Sequence, residues 1–363
     1  MTRRYDVAII GGGPAGTATA LALGRSGLSA LLLESSQYDR ARIGETLPPR
    51  GRVPLTQLGV WDRFLSEDHR PSPANVSAWG GAELQEAHFI FNAYGNGWHL
   101  DRARFDQMLA MAAEETGAIV SCGTRVTSCV RHSPHGDWCV SFTTDSVNQT
   151  ARARFIVDAT GRAALHARRH GARRVVYDGL IGIAGLFSSD VDHTDNRTLV
   201  EACDSGWWYS ATLPGGQLIV VFMTDADVWR RDRRHVVEQW RQRLALTFHM
   251  RERVGQRSFE PPLRMMTART SRLDRIAGPR WLAAGDAAST VDPLSSQGIT
   301  IALQSGLIAG RAIERWTRGR SDAFVEYERH VHDEFDSYLK TRAMHYARER
   351  RWPDSTFWRR RHS

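Results

Sequence analysis

The chain has 363 residues, of which 42% are hydrophobic and 24% charged, as in ordinary globular proteins and unlike disordered or fibrous ones. No apolar run approaches the roughly 18 residues that a spanning helix needs, so no membrane association is expected. The formal net charge of +8 is carried almost wholly by arginine, since Lys340 is the only lysine. Such a surface suits an anionic cofactor or an acidic partner. No nucleic-acid recognition module is present, so nucleic acid is not an expected partner. Cys122, Cys129, Cys139 and Cys203 lack metal-ligand spacing, which predicts reduced thiols, no metal and a cytoplasmic protein. A strand starting at Tyr5 leaves no room for a signal peptide in this reading.

Residues 5–10 (YDVAII) form an apolar run fit for a strand buried on both faces. They lead directly into Gly11, Gly13 and Gly16. At this spacing the glycines serve a tight turn, close approach of a pyrophosphate and tight helix–strand packing. Pro14 and Ala15 open a helix expected over 15–25, stopped at Gly27. The free N–H groups at its start would hold a pyrophosphate. A second strand, over 29–33, ends in Glu34, 18 residues past Gly16, where a carboxylate bonds ribose hydroxyls. Strand, helix, strand and terminal acid in this order predict a dinucleotide site.

The middle of the chain reads differently. A helix is expected over 101–116, and strands over 118–131 and 137–144 joined near Pro134, His135 and Gly136. A short buried strand over 155–158 ends in Asp158, Ala159, Thr160 and Gly161. Residues 181–188, 197–203, 207–213 and 217–224 predict antiparallel strands, with a hairpin turn at Pro214, Gly215 and Gly216. A helix follows over 233–246.

Residues 281–284 predict a strand returning beside the first, leading into Gly285 and Asp286. A carboxylate at that strand end faces the cofactor crevice and can accept hydrogen bonds from a sugar-alcohol chain. FAD has a ribityl chain and NAD does not, so Asp286 points to FAD. Pro293 is placed to brace a loop against a flat ring. Gln297 and Gly298 open a helix over 297–317 whose N–H groups would stabilise negative charge on a reduced flavin. A last helix is expected over 322–350, and the tail over 348–362 as a solvated or frayed end.

These motifs together (GGGPAG, Glu34, Asp158 to Gly161, and GDAA followed by DPLSSQG) resemble the FAD-dependent hydroxylase superfamily built on the p-hydroxybenzoate hydroxylase fold. The resemblance covers nearly all of residues 5–320. Within it, RIGETLPP over 42–49 looks like the GES-type segment of flavin-dependent halogenases and their relatives, as do DRARFD over 101–106 and DPLSSQGI. The relatives include geranylgeranyl-reductase-like enzymes and the flavoproteins that mature tryptophylquinone cofactors in partner proteins. GWWYSATLP over 206–214 looks most like this non-halogenating maturation branch.

The fold so implied is α/β (α+β overall): a Rossmann-like FAD-binding domain interrupted by a mostly antiparallel β-sheet substrate domain, with a helical C-terminus. Its expected divisions are 1–75, 100–165 and 275–320 for FAD, 76–99 and 166–274 for substrate, and 321–363 for a C-terminal helix and basic tail. Further cofactor candidates are Ser35, Val126, Gly161 and Ile299.

In such enzymes reduced flavin adds O2 to give a C4a-hydroperoxide. A monooxygenase passes its distal oxygen to the substrate. A halogenase diverts it to halide and carries hypohalous acid to a lysine near the substrate. Residues 1–339 contain no lysine. Halogenases also carry W-x-W-x-I-P, and aligned on Pro214 its two Trp positions fall on Tyr209 and Ala211. The expectation is therefore an FAD-dependent monooxygenase hydroxylating an electron-rich aromatic of indole or tryptophan type, free or carried on a peptide or protein. A halogenase, a reductase of the geranylgeranyl type and a non-enzymatic flavin-binding partner are the alternatives. O2 is the expected co-substrate, and electrons would come from NAD(P)H or a partner flavin reductase.

The catalytic candidates are Glu45, Pro293 and Gly298. Glu45 would position substrate or peroxide, or else cap a helix or form a salt bridge. Arg42 and Arg104 would contact FAD phosphate or ribose, or else be plain surface arginines. His99 and Tyr209 would face the substrate cavity or be satisfied core groups, and Trp208 would be pocket wall or sheet core.

Overall fold

The apolar runs and glycine turns place the elements much as their periodicities require. The structure, a computed structural model, describes residues 3–40, 42–133, 136–188, 195–229 and 235–362. The turn expected at 134–136 and the start of the helix expected over 233–246 fall partly outside these residues.

The chain opens with β1 (Arg4–Ile10), α1 (Pro14–Arg25) and β2 (Ala30–Leu33). β3 (Ala74–Ala78), β4 (Gln85–His88) and α2 (Arg102–Glu115) follow. β5 (Ile119–Ser121), β6 (Thr124–Arg131), β7 (Trp138–Thr144) and β8 (Val147–Asp158) come next. The middle holds β9 (Leu180–Ser188), β10 (Thr198–Cys203), β11 (Gly206–Thr212), β12 (Leu218–Asp225), α3 (Val236–Ala245) and β13 (Ser258–Thr267). β14 (Trp281–Ala283), α4 (Gly298–Thr317), α5 (Ala323–Ala347) and α6 (Thr356–His362) complete the chain.

Two sheets dominate. In the first, β14, β8, β1, β2 and β5 run parallel in that order. The first half of β8 continues into an antiparallel ladder with β7 and β6. β1 and β2 are buried along nearly their whole length, as a parallel sheet covered on both faces requires. α1 and α4 pack together at close range, because a Cβ on Gly306 would lie 2.2 Å from the Ala15 carbonyl oxygen. The second sheet has the order β13, β9, β12, β11, β10, β3, β4 and is antiparallel except between β10 and β3. All its strands fall within residues 74–88 and 180–267.

Three expectations needed correction. The strand expected over 118–131 is broken at Cys122 and Gly123 into β5 and β6. Each half serves a different neighbour, β2 for the first and β7 for the second. β13 was not expected, because Pro261 and Pro262 argue against a strand; it is an edge strand, where proline costs no shared ladder bond.

The third correction concerns the C-terminal tail, which is no frayed end. α6 buries Phe357 and Trp358 completely. Its Arg361 donates to both oxygens of Asp225 at 2.7 and 3.1 Å, with both side chains 2% exposed. Trp358 packs edge-on against Trp79, and Tyr346 of α5 joins the same cluster.

Candidate active site

A cleft of about 890 Å³ opens where β1, β2 and β14 end and α1 and α4 begin. Its first wall is the glycine turn. Gly11 has φ +105°, and a Cβ there would lie 2.3 Å from the Ala159 carbonyl oxygen. A Cβ on Gly16 would lie 1.9 Å from the Gly11 carbonyl oxygen. Nothing stands within 4 Å of a Cβ built on Gly13, so the backbone there is bare toward the cleft. No side chain caps α1, and Pro14 fills its first turn, which leaves the following N–H groups available to an anion.

Glu34, at the end of β2, ties this wall together. It accepts from the Gly12 N–H at 2.6 Å, from the Ser36 N–H at 2.8 Å and from the Ser36 hydroxyl at 2.7 Å. Burial alone would raise its carboxyl. The bonds from Ser36 and Gly12 and the Arg42 charge outweigh that and hold it below the ordinary carboxylate range. Arg42 lines the cleft and bridges Glu34 at 3.2 Å and Asp106 at 3.1 Å. Asp106 is fully buried and also receives Arg102. Burial raises its carboxyl, against the pull of both arginines.

Ser35, Val126, Gly161, Asp286, Pro293, Gly298 and Ile299 also line this cleft. Asp286 faces Arg162 at 3.4 Å, and both side chains are about one third exposed. Arg102, Arg125, Arg162 and Arg264 join Arg42 on the wall, so guanidiniums outnumber Glu34, Glu45 and Asp286. Bare glycine backbone, an uncapped helix start and this arginine excess fit the pyrophosphate of a dinucleotide. Three groups here are not among the sequence-derived candidates: Arg102, Asp106 and Tyr38, whose hydroxyl donates to the Gly12 carbonyl at 2.8 Å. The i,i+4 spacing of Arg102 and Asp106 was the available signal.

At the far end of the cleft, β11 meets the segment over 44–46. The Tyr209 hydroxyl donates to Glu45 Oε1 at 2.6 Å and lies 2.5 Å from the Thr46 hydroxyl. Glu45 Oε2 accepts from the Gly44 N–H at 2.9 Å. Burial and the neighbouring Glu45 charge push the Tyr209 phenol well above its ordinary value, so it remains a donor.

Six expected site residues lie elsewhere. Asp158 is fully buried, and its carboxylate is consumed by the Thr160 N–H and hydroxyl and the Ala167 N–H. It pins the turn after β8. Arg104 is 48% exposed and pairs with Glu67 at 3.7 Å; two residues of helix rotation carry it away from the face that Arg102 presents.

His99 is buried with Nδ1 at 3.0 Å from the Thr212 carbonyl and Nε2 at 2.9 Å from the Thr198 hydroxyl. Burial pushes it down to about 4, and it is a satisfied core group. Trp208 points to the face of β11 opposite Tyr209 and stacks on Phe222 with ring centroids 4.7 Å apart. Gly285 has φ +61° and packs against Ala15, lining not this cleft but a second cavity. Gln297 lines that second cavity too. The second cavity, of about 1040 Å³, shares Val291 and Ser296 with the cleft.

Fold and cleft define a class, an FAD-binding oxidoreductase, and comparison with known proteins agrees. Residues 4–333 match the FAD binding domain family, and the chain belongs to it. It is 32% identical over 99% of its length to LodB of Marinomonas mediterranea, provisionally described as an FAD-dependent oxidoreductase, and covers 97% of that protein. Among solved structures, the myxobacterial chondrochloren halogenase CndH superposes with a TM-score of 0.91 at 24% identity, over 99% of this chain and 86% of CndH. The peptidyl tryptophan dihydroxylase QhpG, essential for tryptophylquinone cofactor biogenesis, superposes with a TM-score of 0.81 at 23% identity, over 99% of this chain and 78% of QhpG. These two likenesses are of fold. No helix among the described residues is long and apolar enough to cross a membrane.

Proposed function

We propose that this enzyme is an FAD-dependent monooxygenase that hydroxylates an electron-rich aromatic ring of indole or tryptophan type, free or carried on a peptide or protein. One observation carries the choice over halogenation. Lys340, the only lysine, is exposed on α5 and lines neither cavity. A halogenase would need a lysine amine close to its substrate. The likeness to QhpG, a dihydroxylase of peptidyl tryptophan, adds support from fold.

When bound, the flavin supplies the redox chemistry, passing electrons from NAD(P)H or a partner reductase to O2. The protein's own groups do the rest. Gly11, Gly13, Pro14, Ala15 and the start of α1 would take the pyrophosphate. Glu34, held rigid by Gly12 and Ser36, would face the adenosine ribose, and Asp286 the ribityl chain. Pro293 would brace the ring, and Gly298 with Ile299 would place the start of α4 against its electron-rich edge. Glu45, fixed by Tyr209 and Gly44, would help orient the substrate at the cleft wall and exclude water from the reacting centre.

The test is aerobic turnover of the FAD-loaded protein with NADH, a flavin reductase and a tryptophan-containing peptide. The expected product gains oxygen, in the presence or absence of chloride or bromide. CndH, a halogenase, shares this fold closely; a product gaining halogen instead of oxygen would establish that second reading.

A further inference from the structure

The second cavity has no role in the scheme above, yet its wall is unusual. At about 1040 Å³ it reaches the upper end of small-molecule pockets, which run to about 1,000 Å³. β3 and β4 form one side, and α4 and α5 the other. Val291 and Ser296 line both it and the flavin cleft.

Its charge is uncompensated. Arg50, Arg311 and Arg348 line it with exposed side chains, and among the described residues none has an ion-pair partner. The acids on the same wall are mostly spent. Glu86 is paired with Arg197, and Asp292 is buried between Arg342 and Tyr346. Glu334 alone stands against three guanidiniums.

Its rim is built for a chain rather than a small anion. β4 is the edge strand of the seven-stranded sheet, its four residues all exposed, and Gln85, Glu86 and Ala87 line the cavity. An open edge accepts a further strand through backbone hydrogen bonds. Just beyond it, Ile90 and Phe91 are 78% and 97% exposed. Apolar side chains at such a tip favour a protein contact over a phosphate backbone.

We infer that this cavity and the β4 edge dock an acidic polypeptide segment in extended form. Arg50, Arg311 and Arg348 pair with its carboxylates, Ile90 and Phe91 cover its flank, and the substrate ring enters the flavin cleft past Val291 and Ser296. The inference rests on the hydroxylase reading and narrows its substrate to a peptide-borne ring with acidic neighbours.

The experiment uses the full-length, FAD-loaded protein and two fluorescent peptides. One carries a tryptophan between Asp-Glu pairs, and the other has lysines in place of the acids. Anisotropy should show the acidic peptide binding at least about tenfold more tightly, with the preference shrinking as salt rises. The triple variant R50Q/R311Q/R348Q should lose the preference while keeping its flavin absorbance. Phe91→Ala should weaken the acidic peptide without changing that absorbance. Equal binding of the two peptides, or an unchanged preference in the triple variant, overturns the inference. So does a DNA oligonucleotide of equal charge binding as tightly as the acidic peptide. Charge-selective binding without oxygenated product would remove the hydroxylase reading and keep the docking site. Oxygenation of free tryptophan without charge-selective peptide binding would do the reverse.

Discussion

At the scale of single residues, backbone contacts decide which substitutions the cleft tolerates. Gly16→Ala would drive a methyl group to 1.9 Å from the Gly11 carbonyl oxygen, where neither helix nor strand can give way. We expect it to cost about 3 kcal/mol, read by urea unfolding, and to yield a protein that purifies without yellow colour. Asp286→Ala tests a different kind of contact, a side chain reaching into the cleft beside Arg162. Losing one charge-assisted hydrogen bond should weaken FAD binding about tenfold in a fluorescence titration. Unchanged affinity would end the role given to Asp286. Tyr209→Phe removes the donor to Glu45 and leaves the ring packed. It should slow product formation about tenfold or more with little change in FAD affinity, because Glu45 loses its fixed partner. A plain packing role would leave the rate as it was.

At the scale of elements, periodicity explains both what was legible and what was not. The glycine turn, α1, β2 and Glu34 could be read directly, because Glu34 bonds Gly12 and Ser36 within one short stretch of chain. The second sheet was legible where apolar residues were dense, over β9 to β12. It was illegible at β3 and β4, short runs in which, among the described residues, β3 pairs with β10 and β4 pairs only with β3. Arg102 rather than the expected Arg104 lies on the face of α2 that meets the cleft, paired there with Asp106. α6 is held to the second sheet by the buried Phe357 and Trp358 and by the buried Arg361–Asp225 ion pair. Asp225→Asn would leave Arg361 buried with half its partner, so we expect a loss of about 3–5 kcal/mol and a lower Tm in calorimetry.

For the whole molecule, three buried histidines contribute to the response to acid. Burial holds His69 and His99 down to about 4 and His166 to about 3, against an ordinary 6.5. Each is neutral when folded and takes up a proton when unfolded below that ordinary value. Their contribution to stability is therefore complete above pH 6.5 and lost as pH falls toward about 4. Each histidine adds up to about 1.4 kcal/mol of destabilisation per pH unit across that window. Chemical unfolding at intervals from pH 7 to pH 4 should show a steadily falling midpoint. His99→Asn, with similar hydrogen-bonding reach and no titration, should flatten part of that slope.

The sequence by itself determined the strand, glycine turn, helix and strand that frame the dinucleotide crevice, and the single lysine of the whole chain. These depend on local geometry or on composition, which need no partner from elsewhere in the chain. Only the tertiary structure decided which polar groups reach solvent in the cleft and which are spent in the core. Asp158, His99 and Trp208 carry the residue types of a site, but their surroundings consume them. The Glu45 and Tyr209 pair, the two adjoining cavities and the buried α6 arise from residues far apart in the chain. No spacing rule brings such residues together; only the packing of two sheets and the helices on them does.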